Sequence, residues 1–174
     1  MKGDLDLGDE IAVIGGGAVG CETALFLAHA GTIDADTLRF LLVHRVEDPE
    51  SLYQLSTRGI KRVTLIEQQR RVAEDVGRSN RWVLYHDLLR YGVDLRTSTR
   101  VISIEDDGVV VETDNTVDKI KADTVVLAVG SRAENDLFYQ LEGASPEIYL
   151  VGDAREPRKA MEAIHEGFRV GNTI

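Results

Sequence analysis

The most regular feature of the chain is a set of short, continuous apolar runs. Three of them read EIAVIG at 10–15, KRVTLIE at 61–67 and DTVVLAVG at 123–130. Runs of this length without polar alternation are typical of strands that are buried on both faces, as in a parallel sheet. A fourth run, EIYLV at 147–151, predicts the last strand of the chain.

Segments with apolar residues at helical spacing lie between these runs. Residues 18–30 and 79–91 carry such stripes and are followed by Gly31 and Gly92, and glycine often ends a helix. A final helix is predicted from about Pro157 to the end. The alternation of strand and helix predicts an α/β fold, a Rossmann-like parallel sheet with helices on both faces.

A long stretch at 32–60 interrupts the first strand–helix–strand unit. Asp34 or Asp36 can cap one helix there, and Asp48, which is followed by proline, can cap a second helix. We therefore predict an inserted helical hairpin, whose function the sequence does not show. An interface is one role for it, and the sequence leaves open whether the protein forms a homodimer.

Three extended runs follow the helix that is predicted at 79–91. They lie at 100–104, at 109–113 and, more weakly, at 117–120. Asp107-Gly108 separates the first two, and this dipeptide is a strong hairpin signal. The runs predict a three-stranded antiparallel β-meander.

Residues 15–20 read GGGAVG and directly follow the first predicted strand. Gly15, Gly17 and Gly20 have the G-x-G-x-x-G spacing, in which glycines permit a tight turn, a close approach to pyrophosphate and close helix–strand packing. Free N–H groups at the start of the following helix would face the phosphates. The context favours nucleotide binding over a glycine turn kept only for packing.

An acidic residue that binds ribose usually lies about 20 positions after the glycines, at the end of the second strand. Glu67 lies 47 positions after Gly20, and omitting the 29 inserted residues leaves 18. A carboxylate there accepts hydrogen bonds from ribose hydroxyls and repels a 2′-phosphate, so NADH is favoured over NADPH. Arg70 and Arg71 could accommodate that phosphate, and a solvated strand-end glutamate is the alternative interpretation.

Composition narrows the classes of partner. Of the 174 residues, 43% are hydrophobic and 29% are charged, fractions that are typical of a globular protein. The net charge is -10. The acidic balance argues against binding to nucleic acid or to an anionic membrane. No apolar run is long enough to span a membrane, and the start, MKGDLDLGDE, lacks a signal-peptide core. We expect a cytoplasmic location.

Cys21 is the single cysteine, which excludes a disulfide or a dithiol pair within this chain. Its place in the first turn of a helix could lower the pKa of the thiol, but we favour a small buried residue in a packed helix. The histidines show no metal-ligand spacing, and we predict no metal site; they are His29, His44, His86 and His165.

Several stretches together resemble a known family: GGGAVGCE at 15–22, the β-meander, ADTVVLAVG at 122–130 and YLVGDA at 149–154. They are similar to the two-dinucleotide flavoproteins of the pyridine nucleotide-disulfide oxidoreductase type. They are most similar to the C-terminal region of the 2,4-dienoyl-CoA reductase, 2-enoate reductase and trimethylamine dehydrogenase group. The resemblance covers nearly the whole chain apart from 32–60.

The resemblance implies two coenzymes, NAD(H) and FAD. In that family the NAD(H)-binding domain is inserted within the FAD-binding domain, to which the chain returns. Asp153 would accept a hydrogen bond from a ribityl hydroxyl of FAD, and the helix start at 158–160 would face the pyrimidine edge of the flavin. Glu22 would touch the nicotinamide end of NADH, and Gly130 would let that coenzyme pass the sheet edge.

The resemblance also implies a division of the chain. Residues 9–133 would form the NAD(H)-binding domain, and 134–174 a returning segment of the FAD-binding domain that is incomplete on its own. The sequence lacks the family's other glycine loop, its flavin-bearing barrel and its iron–sulfur cysteines, so the remainder of the flavoprotein is the expected partner. The family's A-x-G-x-x-P-N segment reads AVGSRAEN, with Ala133 at the proline position.

The cofactor-binding residues predicted from the motifs and the resemblance lie in the glycine loop and its helix, after the second strand, and near the end of the chain. They are Gly15, Gly16, Gly17, Ala18, Val19, Gly20, Glu22, Glu67, Gln68, Arg71, Gly130, Gly152, Asp153, Lys159 and Ala160.

Together these features predict the NAD(H)-binding module of an FAD-dependent oxidoreductase, with hydride transfer from NADH to FAD and electrons passed to another centre. The cofactors carry that chemistry, so no catalytic side chain is predicted, and the isolated chain is not expected to be active alone. The alternative is a non-catalytic NAD(H)-binding or redox-sensing module, which leaves the Asp153 segment without a role. A methyltransferase would not explain the meander, and no G-K-[ST] of a P-loop enzyme follows the glycines.

Overall fold

The computed structural model describes residues 7–145 and 147–174, so the predicted lack of a signal peptide concerns residues that lie largely outside the described ranges. The chain divides into two compact units, which are described separately. The first ends at Val129, and the second is Gly130–Ile174. Among the described residues, no helix has both the length and the apolar character needed to cross a membrane.

A four-stranded parallel sheet forms the centre of the first unit. Its strands, in the order β3-β2-β1-β7, are β1 (Glu10–Ile14), β2 (Arg62–Ile66), β3 (Asp94–Arg96) and β7 (Thr124–Leu127). The apolar pattern did not predict β3, because this short edge strand is polar at two of its three positions. The third predicted strand is present as β7, but it is half-buried to exposed rather than fully buried because it forms the other edge of the sheet.

Two helices, α1 (Ala18–Ala28) and α4 (Arg78–Arg90), cover one face of this sheet. Their apolar sides bury Cys21 and Leu88 against strand residues that include Leu65. The helix at 79–91 was thus correctly predicted to within one residue.

The opposite face of the sheet packs on the antiparallel meander. Its strands are β4 (Thr99–Glu105), β5 (Gly108–Thr113) and β6 (Thr116–Lys121), ordered β4-β5-β6. Val109 and Val111 are buried against residues of β1 and β2. The meander therefore lies over the sheet, and the start of β4 follows closely on the carboxyl end of β3.

The inserted stretch forms the predicted hairpin of helices, α2 (Ala35–His44) and α3 (Pro49–Thr57). Of the two candidate caps for α2, Asp34 is the one used, since its side chain accepts the N–H of Thr37 at 2.8 Å. Asp48 caps α3 as predicted.

The second unit contains α5 (Asp136–Gln140), a 3₁₀ turn at Gly152–Ala154 and α6 (Ala160–Gly171). The predicted strand at 147–151 is wrong: this segment forms no strand. A strand needs a neighbour for its backbone hydrogen bonds, and the described part of the second unit offers none. The last helix begins at Ala160, three residues later than predicted.

Candidate functional site

The glycine loop lies between the carboxyl end of β1 and the start of α1. Gly15 has a φ of 106°, a conformation that glycine adopts without strain. A Cβ at Gly15 would overlap the carbonyl oxygen of Ala128, and a Cβ at Gly20 would overlap the carbonyl oxygen of Gly15. Both glycines therefore permit the close approach of strand, loop and helix that the spacing predicts.

The carboxylate of Glu67, directly after β2, holds the loop from the side. Its Oε2 accepts the N–H of Gly16 at 2.5 Å, and its Oε1 accepts the N–H of Gln69 at 2.6 Å. Each carboxylate oxygen has two lone pairs, so each can accept one further hydrogen bond. A half-buried glutamate beside the loop is thus able to receive hydroxyl donors from a ligand.

A second carboxylate, that of Asp75, caps α1. Both of its oxygens accept the N–H of Ala18, at 3.0 and 3.1 Å. Negative charge at this end of a helix is stabilised by the free N–H groups and by the helix dipole. The sequence pattern missed Asp75 because the cap residue itself is Gly17, which has no side chain, and the carboxylate comes from a distant segment.

These groups border a cavity of about 430 Å³ at the carboxyl edge of the parallel sheet, which we call the loop groove. Its volume is in the range of small-molecule sites. The start of β4 and the end of β7 complete the walls, and these residues were not predicted; they are Thr99, Arg100, Val101, Ala128 and Val129. Because the pattern missed β3, nothing in the sequence placed the start of β4 at this edge.

The structure brings some of the predicted residues to the loop groove and places others elsewhere. Those that line it are Gly15, Gly17, Glu67 and Gln68. Gly16 is buried behind them and bonds to Glu67, whereas Ala18 to Gly20 begin α1. Glu22 lines a different cavity with residues of α4, and Arg71 lines a third one. Gly130 belongs to the second unit, so its predicted contact with a coenzyme stays a prediction.

In the second unit, Asp153 lies in the 3₁₀ turn with an exposed side chain. Among the described residues, none donates a hydrogen bond to its carboxylate. The side chain is therefore not folded into the unit and is accessible to a donor from outside it. Lys159 and Ala160 are the cap and the first residue of α6.

Glu166 of α6 holds this turn in place. Its Oε2 accepts the N–H of Gly152 at 2.8 Å, and its Oε1 accepts hydrogen bonds from Arg155 at 3.3 Å and from Arg158. Only 8% of the residue is exposed. The sequence pattern missed Glu166, because a glutamate in an amphipathic helix is ordinarily solvated.

The pH dependence of α6 should follow Glu166. The hydrogen bond from Arg158, together with that from Gly152, lowers the pKa of Glu166. Because the folded pKa lies below that of the unfolded chain, about 4.3, the stabilisation is complete above that pH and is lost as the pH falls through the folded pKa. We expect hydrogen-exchange protection factors of α6 to be constant near neutral pH and to fall below about pH 4.

Glu166→Gln should remove most of this acid dependence and lower the protection of α6 at neutral pH. Glu142→Gln, the same change at an exposed position of the same unit, should leave both unchanged. An acid dependence that persists in Glu166→Gln would assign the effect to another group.

Cys21 is part of the packed core of the first unit. It is fully buried, and its Sγ donates to the carbonyl oxygen of Gly16 at 3.3 Å. Burial raises the pKa of the thiol to about 11, because desolvation disfavours the thiolate. The interpretation favoured from the sequence is confirmed.

A thiol reagent should therefore fail to modify Cys21 in the folded protein near neutral pH, since the thiolate is the reactive form. The denatured chain, in which the thiol is exposed, should react completely and serves as the control. Rapid stoichiometric labelling of the folded protein, measured by mass spectrometry at residue 21, would contradict the burial.

Residues 2–167 match the model of the pyridine nucleotide-disulphide oxidoreductase family. The chain is 42% identical over 168 residues to a metal reductase of Desulforamulus reducens, covering 97% of this chain and 25% of that protein. It is 30% identical over 171 residues to an NADH oxidase of Thermoanaerobacter brockii, covering 97% of this chain and 22% of that protein. The chain thus spans about a quarter of the length of these relatives.

Solved structures show the same fold. The complex of 2-naphthoyl-CoA reductase with 2-naphthoyl-CoA is similar with a TM-score of 0.72 and 27% identity, over 98% of this chain and 22% of that one. Histamine dehydrogenase from Rhizobium sp. 4-9 is similar with a TM-score of 0.70 and 18% identity, over 97% of this chain and 22% of that one. The predicted fold class is confirmed.

Proposed function

Because the chain belongs to the pyridine nucleotide-disulphide oxidoreductase family, as its motifs had indicated, we propose that it is the NAD(H)-binding module of a larger FAD-dependent oxidoreductase. Hydride would pass from NADH to FAD, and the electrons would go on to another centre. The observation that carries the proposal is the hydrogen bond between Glu67 and Gly16, which joins the acidic residue to the glycine loop at the carboxyl edge of the sheet.

The donors and acceptors of the loop groove fit a pyridine dinucleotide. Asp75 already accepts the N–H of Ala18, so we assign the pyrophosphate to the amide of Gly17, which lines the groove, and to that of Val19 in the adjacent first turn of α1. The remaining lone pairs of Glu67 fit ribose hydroxyls. A phosphate in place of the 2′-hydroxyl would meet this carboxylate, and the repulsion favours NADH over NADPH.

The second unit would supply only part of an FAD site, namely a hydrogen-bond acceptor. The exposed carboxylate of Asp153 is suited to a ribityl hydroxyl, and Glu166 keeps its turn in position. When both coenzymes are bound they supply the hydride chemistry, and the protein sets their distance and electrostatic environment.

Two features support a larger protein that completes the second unit. The segment at 147–151 has no strand partner among the described residues. One side of α6 exposes three large apolar side chains at helical spacing, Met161, Ile164 and Phe168, each at least 60% exposed. Contiguous exposed apolar surface typically marks an interface, so we assign this side of α6 to the remainder of the flavoprotein.

The test is anaerobic mixing of NADH with the complete FAD-loaded protein that carries this chain. We expect loss of the visible flavin absorbance with formation of one NAD⁺ for each FAD reduced. NADH binding without any change in flavin absorbance would favour the non-catalytic sensing module. A protein that does not bind NADH would overturn both candidates.

A further inference from the structure

The cavity of the first unit that Arg71 lines has a volume of about 500 Å³, and the proposed function does not use it. It lies among the segment after β2, the start of α4 and the end of β3. Four arginines and two aromatic residues line it, and we call it the arginine cavity: Arg70, Arg71, Arg78, Arg81, Trp82 and Tyr85. We propose that the arginine cavity binds an organic anion with a planar ring, such as a nucleoside phosphate, in addition to the dinucleotide.

Three of the four arginines of this cavity are not paired with a carboxylate in the part of the chain that the structure describes. Within 7–145 and 147–174, the side chains of Arg70, Arg71 and Arg78 make no hydrogen bond or ion pair. Other arginines of this acidic chain do find carboxylates, as Arg96 does with Asp94. No acidic residue is among those that line the described cavity. Three unpaired guanidinium groups in a chain of net charge -10 attract an anion to this concave surface.

Arg81 differs from the other three because it is held in place. Its Nη2 donates to the carbonyl oxygens of Glu74 at 2.6 Å and of Val76 at 3.1 Å. Its Nε is buried and has no partner among the described residues. Buried donors without an acceptor are uncommon in folded proteins. A guanidinium group that is fixed in this way is suited to phosphate or carboxylate, whose geometry it matches.

The aromatic residues indicate what the anion carries. Trp82 is 62% exposed and Tyr85 is 42% exposed, although both could gain from burial of their rings. Val72 and Leu95 add apolar surface to the same cavity. A planar ring stacks on such side chains and on guanidinium groups, and the volume matches sites for small molecules. Inorganic phosphate alone would leave this surface uncovered.

The arginine cavity is separate from the loop groove. In the described chain, no residue lines both cavities. The segment 67–72 runs between them, with Glu67 facing the loop groove and Arg70 and Arg71 facing the arginine cavity. The proposal therefore requires that the anion and the dinucleotide bind at the same time, each in its own cavity.

The single tryptophan, Trp82, reports on the arginine cavity by its fluorescence. The fluorescence signal of the cavity is the emission of the complete protein minus the emission of its Trp82→Phe variant. We expect AMP to quench this signal equally with and without saturating NAD⁺. Adenosine lacks the phosphate and inorganic phosphate lacks the planar ring, so each should bind at least about tenfold more weakly than AMP.

Arg78→Gln should raise the dissociation constant of AMP by about tenfold, the effect of losing one charged hydrogen-bond donor, and leave NAD⁺ binding unchanged. Arg39→Gln, on the exposed side of α2, makes the same charge change outside the cavity and should have no effect. The proposal is overturned if AMP does not quench, if NAD⁺ competes with AMP, or if the two variants weaken AMP equally. Competition between NAD⁺ and AMP would place AMP in the loop groove.

Discussion

Gly15→Ala should bind NADH at least about tenfold more weakly than the parent protein and lose about 3 kcal/mol of its free energy of unfolding. Alanine is strained at the φ of 106° found there, and its Cβ would overlap the carbonyl oxygen of Ala128. That oxygen belongs to the backbone and cannot rotate away, so either the loop or the end of β7 must move. Chemical denaturation and NADH fluorescence titration measure the two effects.

A matched variant separates strain from overlap. Gly143 also has a positive φ, 81°, but a Cβ there would meet no atom within 4 Å. Gly143→Ala should therefore cost only the strain, about 1 kcal/mol, and leave NADH binding unchanged. Equal losses of stability in the two variants would show that the close approach of Ala128 has no energetic weight.

The parts of the fold that the sequence predicted correctly are those with local signals. The run at 10–15, the glycines after it and the helix that follows are contiguous, so strand, loop and helix could be identified together. Glu67 required one further step, the removal of a folded insertion at 32–60, and the structure does join Glu67 to the loop. Caps such as Asp48 are equally local, because the carboxylate lies within three residues of its donors.

The groups that the sequence missed act over long distances in the chain. Asp75 caps a helix that begins 57 positions earlier, and no pattern around either residue announces the pair. Glu166 is buried only because Arg155, Arg158 and the turn at Gly152 meet it in space. The short strand β3 carries a single apolar residue, Leu95, so it has no periodicity to read. Its omission hid the contribution of β4 to the loop groove.

The wrong strand at 147–151 has a different cause. Its composition is that of a buried strand, but a strand is defined by its neighbour, and the described second unit has no strand beside it. The local pattern and the observed conformation would agree if the partner strands belong to the remainder of a longer protein. The exposed apolar side of α6 leads to the same proposal from the packing of side chains.

Glu67→Ala should change the preference for NADH over NADPH by about 100-fold. The variant loses an acceptor for the ribose hydroxyls, which weakens NADH. It also loses the negative charge that repels a 2′-phosphate, which strengthens NADPH. Dissociation constants of the two coenzymes, measured by fluorescence titration of the same preparation, give the ratio. If the parent protein already binds NADPH more tightly than NADH, the proposed role of Glu67 in coenzyme selection is wrong.

The ratio of the two dissociation constants is the informative quantity because Glu67 has a second role. Its carboxylate accepts the N–H groups of Gly16 and Gln69, so its removal also loosens the loop. A loosened loop weakens both coenzymes equally and leaves their ratio unchanged, whereas loss of the ribose contact moves the two affinities in opposite directions. Glu74→Ala, which removes an exposed carboxylate from the same segment, should change neither. A common fall in affinity for NADH and NADPH would therefore assign Glu67 to holding the loop and leave coenzyme selection to other residues of the groove.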